Sequence, residues 1–215
     1  MQTIVVANPK GGSGKTTLAT NAAGWLAGKR QHVALQDLDP QRSSAEWLAR
    51  RPTLFPQIVG AGPETKSRDL KDAGKQWLVV DTPAGLHGDA LRDAVKRADV
   101  MLVPLTPSAF DFSATEHFLA AIHQYKSVQK GELAIGVIAM RVDARTRSAV
   151  ELDENVKAFG FPLVTHLRDT QVYVHCARDG ASVFDLPRSR GEQDWDQWKP
   201  LTRWIARRAA PVNAG

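Results

Sequence analysis

Short apolar runs alternate with segments of helical pattern along almost the whole chain. The apolar runs predict strands at residues 3–8, 33–37, 57–60, 77–81, 100–104, 133–140 and 162–166. The segments between them predict helices at residues 16–28, 44–51, 67–73, 88–97, 113–127, 146–159 and 170–179. Near-continuous apolar strands that alternate with helices are typical of a parallel sheet covered on both faces. The pattern therefore predicts an α/β fold with a doubly wound, mainly parallel sheet.

Three of the predicted strands end in polar side chains. Asn8, Asp37 and Asp81 each stand at the carboxyl end of an apolar run. Sheets of this class bind their ligands beyond the carboxyl ends of the strands. We therefore expect these three side chains to converge on one site.

The segment between the first strand and the first helix has the pattern of a phosphate-binding loop. It reads Lys10-Gly11-Gly12-Ser13-Gly14-Lys15-Thr16-Thr17. Glycines let successive backbone N–H groups point at one anion, and the following helix adds its positive dipole end. In this pattern Lys15 reaches the β- and γ-phosphates and the Thr16 hydroxyl ligates Mg²⁺. The usual pattern has glycine where this chain has Pro9, and Lys10 follows as a second cation.

Carboxylates after the second and fourth strands complete the predicted site. Asp37 and Asp39 precede Pro40, and Asp81 ends an apolar strand in the manner of a Walker B aspartate. Carboxylates near a phosphate loop hold Mg²⁺ through water or orient the attacking water. The structural alternatives are a solvated Asp-Pro turn and a helix cap at Asp81. Gly85 follows in a loop that is able to move when the γ-phosphate leaves.

The segment after the sixth strand bears on the choice of base. Met140-Arg141-Val142-Asp143 has the spacing of the guanine-reading N-K-x-D tetrad. Met140 cannot make the hydrogen bonds of the asparagine, so the sequence favours adenine. Arg141 is a candidate to lie against the base, although an exposed arginine at the start of a loop needs no such role.

Composition narrows the class of protein. The chain has 215 residues, of which 43% are hydrophobic and 24% charged, as in ordinary globular proteins. Its one cysteine, Cys176, excludes an intramolecular disulfide framework, and the six histidines lack metal-ligand spacing. Because the first strand begins near residue 3 and no apolar stretch reaches about 18 residues, the sequence predicts a cytoplasmic protein without a leader peptide or membrane span.

Basic residues are in moderate excess, with 28 Lys and Arg against 23 Asp and Glu. Many lie in the last third of the chain and are candidates for contacts with DNA phosphates: Arg145, Arg147, Arg168, Arg178, Arg188, Arg190, Lys199, Arg203, Arg207 and Arg208. Contacts to phosphates alone need such cations and no element that reads bases. A solvated basic face is the structural alternative.

The C-terminal segment predicts a helix with a tryptophan-rich face. Residues 185–193 are polar and predict a loop, and Pro200 predicts a break in the helix that follows. Trp195 and Trp198 suit either packing on the core or a membrane surface, and we favour packing. The sequence predicts a P-loop domain over residues 1–186, with the loop and helix of residues 187–215 packed on it and a short disordered tail after Pro211.

Taken together, the motifs resemble the ParA/MinD family of deviant Walker-A ATPases. The resemblance rests on the phosphate loop, on the segment 37–41, on Val80-Asp81-Thr82-Pro83, and on the phrases at 104–108, 111–114, 171–174 and 179–184. It covers roughly residues 2–186, and it is greatest to the small, ParF-like plasmid-partition proteins.

The resemblance implies an ATP-driven switch. ATP and Mg²⁺ would be the cofactors, and two ATP-bound subunits would form a homodimer in which Lys10 reaches the phosphates of the partner. Residues 10–17, Asp81 and Arg141 would bind the nucleotide, with Lys10, Lys15 and Asp39 acting in catalysis. Thr16, Asp37 and Asp81 would hold Mg²⁺.

The same resemblance implies what the switch acts on. The dimer would bind non-specific DNA at the nucleoid, and a ParB-like or other cargo adaptor would stimulate slow hydrolysis. A MinD-like membrane-cycling regulator and a metabolic ATP-dependent relative are the alternatives.

Overall fold

A single sheet organises the molecule. The computed structural model describes residues 1–143 and 145–208, except for the side chains of residues 109–111, 147 and 148. The strands of these residues are β1 (Gln2–Val6), β2 (Val33–Asp37), β3 (Ile58–Ala61), β4 (Trp77–Asp81), β5 (Val100–Leu105), β6 (Ala134–Met140) and β7 (Leu163–Leu167). They pair in the order β3-β2-β4-β1-β5-β6-β7, and each of these pairings is parallel.

Helices connect the strands. Those of the described residues are α1 (Lys15–Gly28), α2 (Ser43–Ala49), α3 (Ser67–Asp72), α4 (Gly88–Arg97), α5 (Ala109–His123), α6 (Lys126–Gln129), α7 (Arg147–Ala158), α8 (Gln171–Arg178) and α9 (Arg188–Arg208). A 3₁₀ turn covers Val183–Asp185.

The side chains of β1 alternate between two buried apolar clusters. Ile4 and Val6 pack with residues of α1, α2, α8 and α9, whereas Val5 packs with residues of α3, α4, α5 and α7. Successive side chains of a strand point to opposite faces, so the two clusters lie on the two faces of the sheet. The doubly wound fold predicted from the sequence is confirmed.

The strand order brings the predicted polar strand ends together. Along the sheet, Asp37 of β2 pairs in register with Asp81 of β4, and Asp81 pairs with Val6 of β1. Asn8 follows two residues after Val6. The chain crosses from β4 to β5, which lie on opposite sides of β1, so a crevice forms beyond the end of β1. The polar ends meet at this crevice.

Helix α5 begins four residues earlier than predicted, at Ala109 instead of residue 113. Ser108, in extended backbone, is its N-cap and follows Pro107 directly. The helix ends at His123, and extended backbone at Tyr125 separates it from α6. The single helix predicted over 113–127 is therefore two, because local backbone at Tyr125 interrupts the helical pattern.

The start of α9 also differs from the prediction. A loop was expected over 185–193, but the helix begins at Arg188, directly after Pro187. Proline is favoured at helix starts, since its missing N–H is not needed there. Gly191 is buried, and a Cβ on it would lie 3.0 Å from Trp195 Nε1 and 3.1 Å from the Val183 carbonyl oxygen. This glycine allows close packing inside the helix and does not mark a loop.

The break predicted at Pro200 is absent as well, because α9 runs unbroken across it. A proline inside a helix costs about 3 kcal/mol. Trp198, Leu201 and Ile205 are fully buried on the face that packs against the core, and each contributes about 1.5–3 kcal/mol. Packing therefore outweighs the local preference.

Burial of this face also removes the sequence argument for a membrane-surface helix. Trp198 donates its indole N–H to the Tyr173 hydroxyl at 3.0 Å, so even its polar atom is used inside the protein. None of the helices formed by the described residues is long and apolar enough to span a bilayer. The division into residues 1–186 and 187–215 stays a prediction, and the tail after Pro211 lies outside the described residues.

Candidate nucleotide-binding site

Two glycines shape the loop between β1 and α1. Gly12 (φ 73°) and Gly14 (φ 97°) adopt left-handed backbone, which other residues enter only at a cost. A Cβ on Gly14 would also lie 2.8 Å from the Met140 side chain. Gly14 is the N-cap of α1, so the loop leads directly into a helix N-terminus, the arrangement that favours a bound phosphate.

The side chain of Asn8 joins this loop to the neighbouring strand and helix. Its amide nitrogen donates to the Pro104 carbonyl at 2.7 Å and to Thr115 Oγ1 at 3.0 Å. Its amide oxygen accepts from the Lys10 backbone N–H at 2.8 Å. Because Asn8 is buried, these bonds fix the start of the loop relative to β5 and α5.

Pro9, which replaces the usual glycine, contributes a backbone contact. Its carbonyl oxygen accepts from the Gly85 N–H at 2.8 Å. Gly85 adopts φ 71° and belongs to the loop after β4. The loop that follows the Walker B aspartate is therefore attached directly to the phosphate loop.

Lys15 lies inside the curled loop. It is buried, and its ammonium donates to the Lys10 carbonyl at 2.8 Å. Ser13 donates its hydroxyl to the same carbonyl at 3.2 Å. Burial lowers the pKa of Lys15, while the charges of Asp81 and Asp39 act in the opposite direction. An anion bound in the loop would favour the charged ammonium and so raise the pKa of Lys15 again.

Asp81 and Thr16 form the polar floor of the site. Thr16 donates its hydroxyl to Asp81 Oδ2 at 2.8 Å. Burial raises the pKa of Asp81 to about 7; the Thr16 hydrogen bond opposes this shift, and the nearby charge of Asp37 adds to it. Within the described residues, the second oxygen, Asp81 Oδ1, is buried without a hydrogen-bond partner.

These observations test whether the donors fit a magnesium ion. Two neighbouring carboxylates repel each other, and an oxygen of Asp81 is unsatisfied. Mg²⁺ prefers oxygen ligands, retains several waters and neutralises such charge. Thr16, Asp37 and Asp81 therefore fit a hydrated Mg²⁺ ion, as expected for a nucleotide bound with its metal.

Asp37 and Asp39 also organise the backbone between β2 and α2. Asp37 accepts from the Asp39 N–H at 2.9 Å with one oxygen and from the Ala45 N–H at 2.8 Å with the other. Asp39 in turn accepts from the Gln41 N–H at 2.9 Å. The pair thus shapes this segment, and each carboxylate oxygen retains a second lone pair for water or metal.

The remaining predicted nucleotide contacts lie around the loop opening. Gly11 is exposed, and Thr17 is half-buried at the start of α1. Arg141 is exposed at φ 57° and opens the segment after β6, next to Met140, which approaches Gly14. Arg141 therefore lies at the rim of the site, and its contact with a base stays a prediction.

The basic residues named as DNA candidates differ in their surroundings. Four of the ten pair with carboxylates at the surface: Arg145 with Asp143, Arg178 with Asp179, Arg188 with Glu192 and Lys199 with Asp196. Arg168 instead makes two hydrogen bonds to the fully buried Asp194, at 2.8 and 3.0 Å. Arg168 therefore has a structural role. Arg190, Arg203, Arg207 and Arg208 are exposed, and the side chain of Arg147 lies outside the described part.

One residue of the site was missed by sequence reasoning. Ser44, the second residue of α2, is fully buried, and its hydroxyl acts on the Asp81 carboxyl by lowering its pKa, although no bond of normal hydrogen-bond geometry joins the two. Only its position after the Asp-x-Asp-Pro segment was visible in the sequence. Burial, which distinguishes it from the exposed Ser43, was not.

Comparison with known proteins places the chain in a family. Residues 4–181 match the family model described as the CobQ/CobB/MinD/ParA nucleotide binding domain. The chain belongs to this family. The resemblance based on the three motifs is thereby confirmed, while the roles assigned to the single residues of the phosphate loop stay predictions.

Individual relatives fall within the same group. Maintenance of carboxysome distribution protein A of Gloeobacter kilaueensis is 32% identical, over 84% of this chain and 82% of that protein. The chromosome-partitioning ATPase Soj of Thermus thermophilus is 27% identical, over 72% of this chain and 75% of Soj. The MinC:MinD cell division protein complex of Aquifex aeolicus shares the fold, with a TM-score of 0.72 at 18% identity and coverage of 96% of both chains.

Proposed function

We propose that this protein is a Mg²⁺-dependent ATPase that dimerises with ATP, binds DNA without sequence preference and positions a cargo. The observation that carries this proposal is a phosphate loop with two lysines, in a chain related to carboxysome-distribution and chromosome-partitioning proteins. Lys15 lies within its own loop. Lys10 is then assigned to the phosphates held by the other subunit of a dimer.

The chemistry assigned to the site is phosphoryl transfer from ATP to water. Backbone N–H groups of residues 11–16 and the Lys15 ammonium bind the β- and γ-phosphates. Thr16, Asp37 and Asp81 hold Mg²⁺, which when bound neutralises charge on the phosphate oxygens. Asp39 orients the attacking water. Hydrogen bonds of Asp37 and Asp39 shape the segment that carries Asp39. We expect closure of the dimer to bring the Asp39 carboxylate to its final position beside the attacking water.

Hydrolysis in the isolated protein is expected to be slow. A switch works by timing, so most of the rate would come from a partner protein that completes the site. We expect turnover well below the enzyme median of about 10 s⁻¹ until such an adaptor is added. A purified protein that hydrolyses ATP at tens per second alone would contradict this part of the proposal.

The cargo is proposed at the level of its class. The printed names of the relatives include a chromosome-partitioning protein and a carboxysome-distribution protein. The cargo is thus either DNA or a large protein assembly, linked through a ParB-like or other adaptor. In either case the ATP-bound dimer would be found on the nucleoid.

The experiment is binding to a duplex of arbitrary sequence with ATP, ADP or no nucleotide, across a salt series. Wild type should bind only with ATP, and binding should weaken steeply with salt because phosphate contacts release counterions. Lys10→Ala should lose the ATP-dependent binding. Lys75→Ala removes the same charge before β4, at the opposite end of the sheet from the site, and should retain it.

Two outcomes would contradict the proposal. If wild type binds DNA equally with and without ATP, the protein is not a nucleotide-dependent switch on DNA. If wild type does not bind DNA with ATP, with ADP or without nucleotide, the proposed positioning of cargo on DNA is wrong, although ATP binding would still stand.

A further inference from the structure

Ser44 has a buried hydroxyl that makes no hydrogen bond of normal geometry to the described part of the protein. Its side chain is fully buried, and among the described residues Ser44 Oγ has no hydrogen-bond partner. Buried polar groups are nearly always paired, so an exception calls for a physical reason. A ligand that is bound in the working state is such a reason.

The position of Ser44 in α2 does not explain its buried hydroxyl. Serine near a helix start often caps the helix, accepting a backbone N–H with its hydroxyl. Here Arg42 is the N-cap, in left-handed backbone at φ 55°, and Ser44 is two residues inside. The hydroxyl therefore makes no capping bond.

A second unsatisfied atom lies nearby. Within the described residues, Asp81 Oδ1 is the other buried oxygen without a partner. The Ala45 N–H bonds to Asp37, and Asp37 pairs in register with Asp81. This chain of contacts brings the start of α2 beside the Asp81 carboxyl, and Ser44 is among the side chains that act on it.

We propose that Ser44 is a further positioning residue of the site, where its hydroxyl and Asp81 Oδ1 together bind a water molecule of the cation's hydration shell. This inference rests on the proposed Mg²⁺-dependent ATPase function. One water satisfies both orphaned oxygens, because a water whose oxygen ligates the cation can donate one hydrogen to the carboxylate and the other to the hydroxyl oxygen. Mg²⁺ retains several of its waters in protein sites, so a contact to such a water is chemically suitable.

This role differs from those assigned to Thr16 and Asp37. Ser44 contacts neither nucleotide nor metal directly and acts through a bound water. Ser44 ties that water to α2, the helix that follows the segment with Asp39. Binding of the cation would thereby be coupled to the position of the segment that orients the attacking water.

The test compares Ser44→Ala with Ser43→Ala. Ser43 is the adjacent residue of α2 and is exposed, so its substitution removes the same hydroxyl from the surface. Affinity for a fluorescent ribose-labelled ATP is measured with Mg²⁺ and with EDTA, and urea unfolding is measured without nucleotide. Neither readout depends on turnover.

The expected results differ between the protein with nucleotide and the protein without it. Without nucleotide, Ser44→Ala should unfold at about the same urea concentration as wild type, because the hydroxyl that it removes makes no hydrogen bond of normal geometry. With Mg²⁺, it should bind the labelled ATP about tenfold more weakly than wild type, while affinity in EDTA is unchanged. Ser43→Ala should match wild type in every condition. Ser44→Cys, with a weaker acceptor of similar shape, should fall between.

Three results would overturn the inference. Ser44→Ala could retain the full Mg²⁺ effect, lose affinity equally in EDTA, or be strongly destabilised without nucleotide, which would indicate an ordinary structural role. In each case the Mg²⁺-dependent ATP binding of wild type would still stand. If wild type itself shows no gain from Mg²⁺, the proposed function and this inference fail together.

Discussion

Asp81→Asn should stabilise the nucleotide-free protein at neutral pH while it removes the Mg²⁺ site. Burial raises the pKa of Asp81 to about 7 from its ordinary value of 3.8. The folded protein therefore holds the Asp81 proton more tightly than the unfolded chain. The stability that this proton contributes is complete below about pH 4 and is lost as pH rises to about 7. Asparagine keeps the shape without the charge.

The size of the effect follows from the two pKa values. The gap between 3.8 and about 7, at about 1.4 kcal/mol for each pKa unit, corresponds to roughly 4 kcal/mol. The part of this gap between pH 5 and pH 8 is roughly 2–3 kcal/mol. The difference in unfolding free energy between Asp81→Asn and wild type should therefore grow by that amount, in favour of the variant.

Urea unfolding of the nucleotide-free proteins at pH 5, 6, 7 and 8 measures this difference. Asp72→Asn is the control, since Asp72 is an exposed carboxylate of α3 and its substitution should change stability by less than about 0.5 kcal/mol at every pH. The reasoning would be refuted if the advantage of Asp81→Asn did not change with pH, or if the variant were less stable than wild type at pH 8.

Three further predictions concern other parts of the structure. Asn8→Ala removes three hydrogen bonds, two of them buried, and should lower the unfolding free energy in urea by about 3 kcal/mol and weaken ATP binding. A loss of unfolding free energy below about 1 kcal/mol would contradict its bridging role. Gly180→Ala places a Cβ 2.5 Å from the Arg50 backbone at φ 65°, and it should lower the unfolding free energy by more than about 3 kcal/mol. Its control, Gly160→Ala, has φ 75° and no atom within 4 Å of the new Cβ, and it should lower the unfolding free energy by about 1 kcal/mol. Equal losses would rule out the steric argument. Burial raises the pKa of the Cys176 thiol from 9.0 to about 12. Iodoacetamide should therefore label the native protein at least about 1,000-fold more slowly than the urea-unfolded chain. Fast labelling of the native protein would contradict this.

Sequence reasoning succeeded where local pattern and global fold agree. The strands between the two edge strands are buried on both faces, so their apolar runs are nearly continuous. The bounds of the strands lie within two residues of prediction. Asp37 and Asp81 lie side by side, as predicted, because parallel strands bring their carboxyl ends to one edge of the sheet.

The wrong predictions for α9 and Arg168 share a physical cause, which is that local composition does not show tertiary packing. Pro200 and Gly191 are ordinary signals for a break and a loop, yet both lie inside α9, where buried tryptophan and leucine side chains outweigh the local cost. Arg168 was counted with the surface cations, but Asp194 holds it across 26 residues of sequence. No residue near Arg168 in the sequence indicates that Asp194 is its partner.

Ser44 marks the limit of sequence reasoning most clearly. Ser43 and Ser44 are chemically identical and adjacent, and only the orientation of α2 buries one and exposes the other. That orientation depends on Asp37, which holds the Ala45 N–H and so directs the start of the helix toward Asp81. The same aspartate that was predicted to serve the metal therefore also sets which serine faces the site. A substitution at Asp37 that removes this backbone bond should impair the site even if a carboxylate is supplied elsewhere, because the hydroxyl of Ser44 would lose its direction.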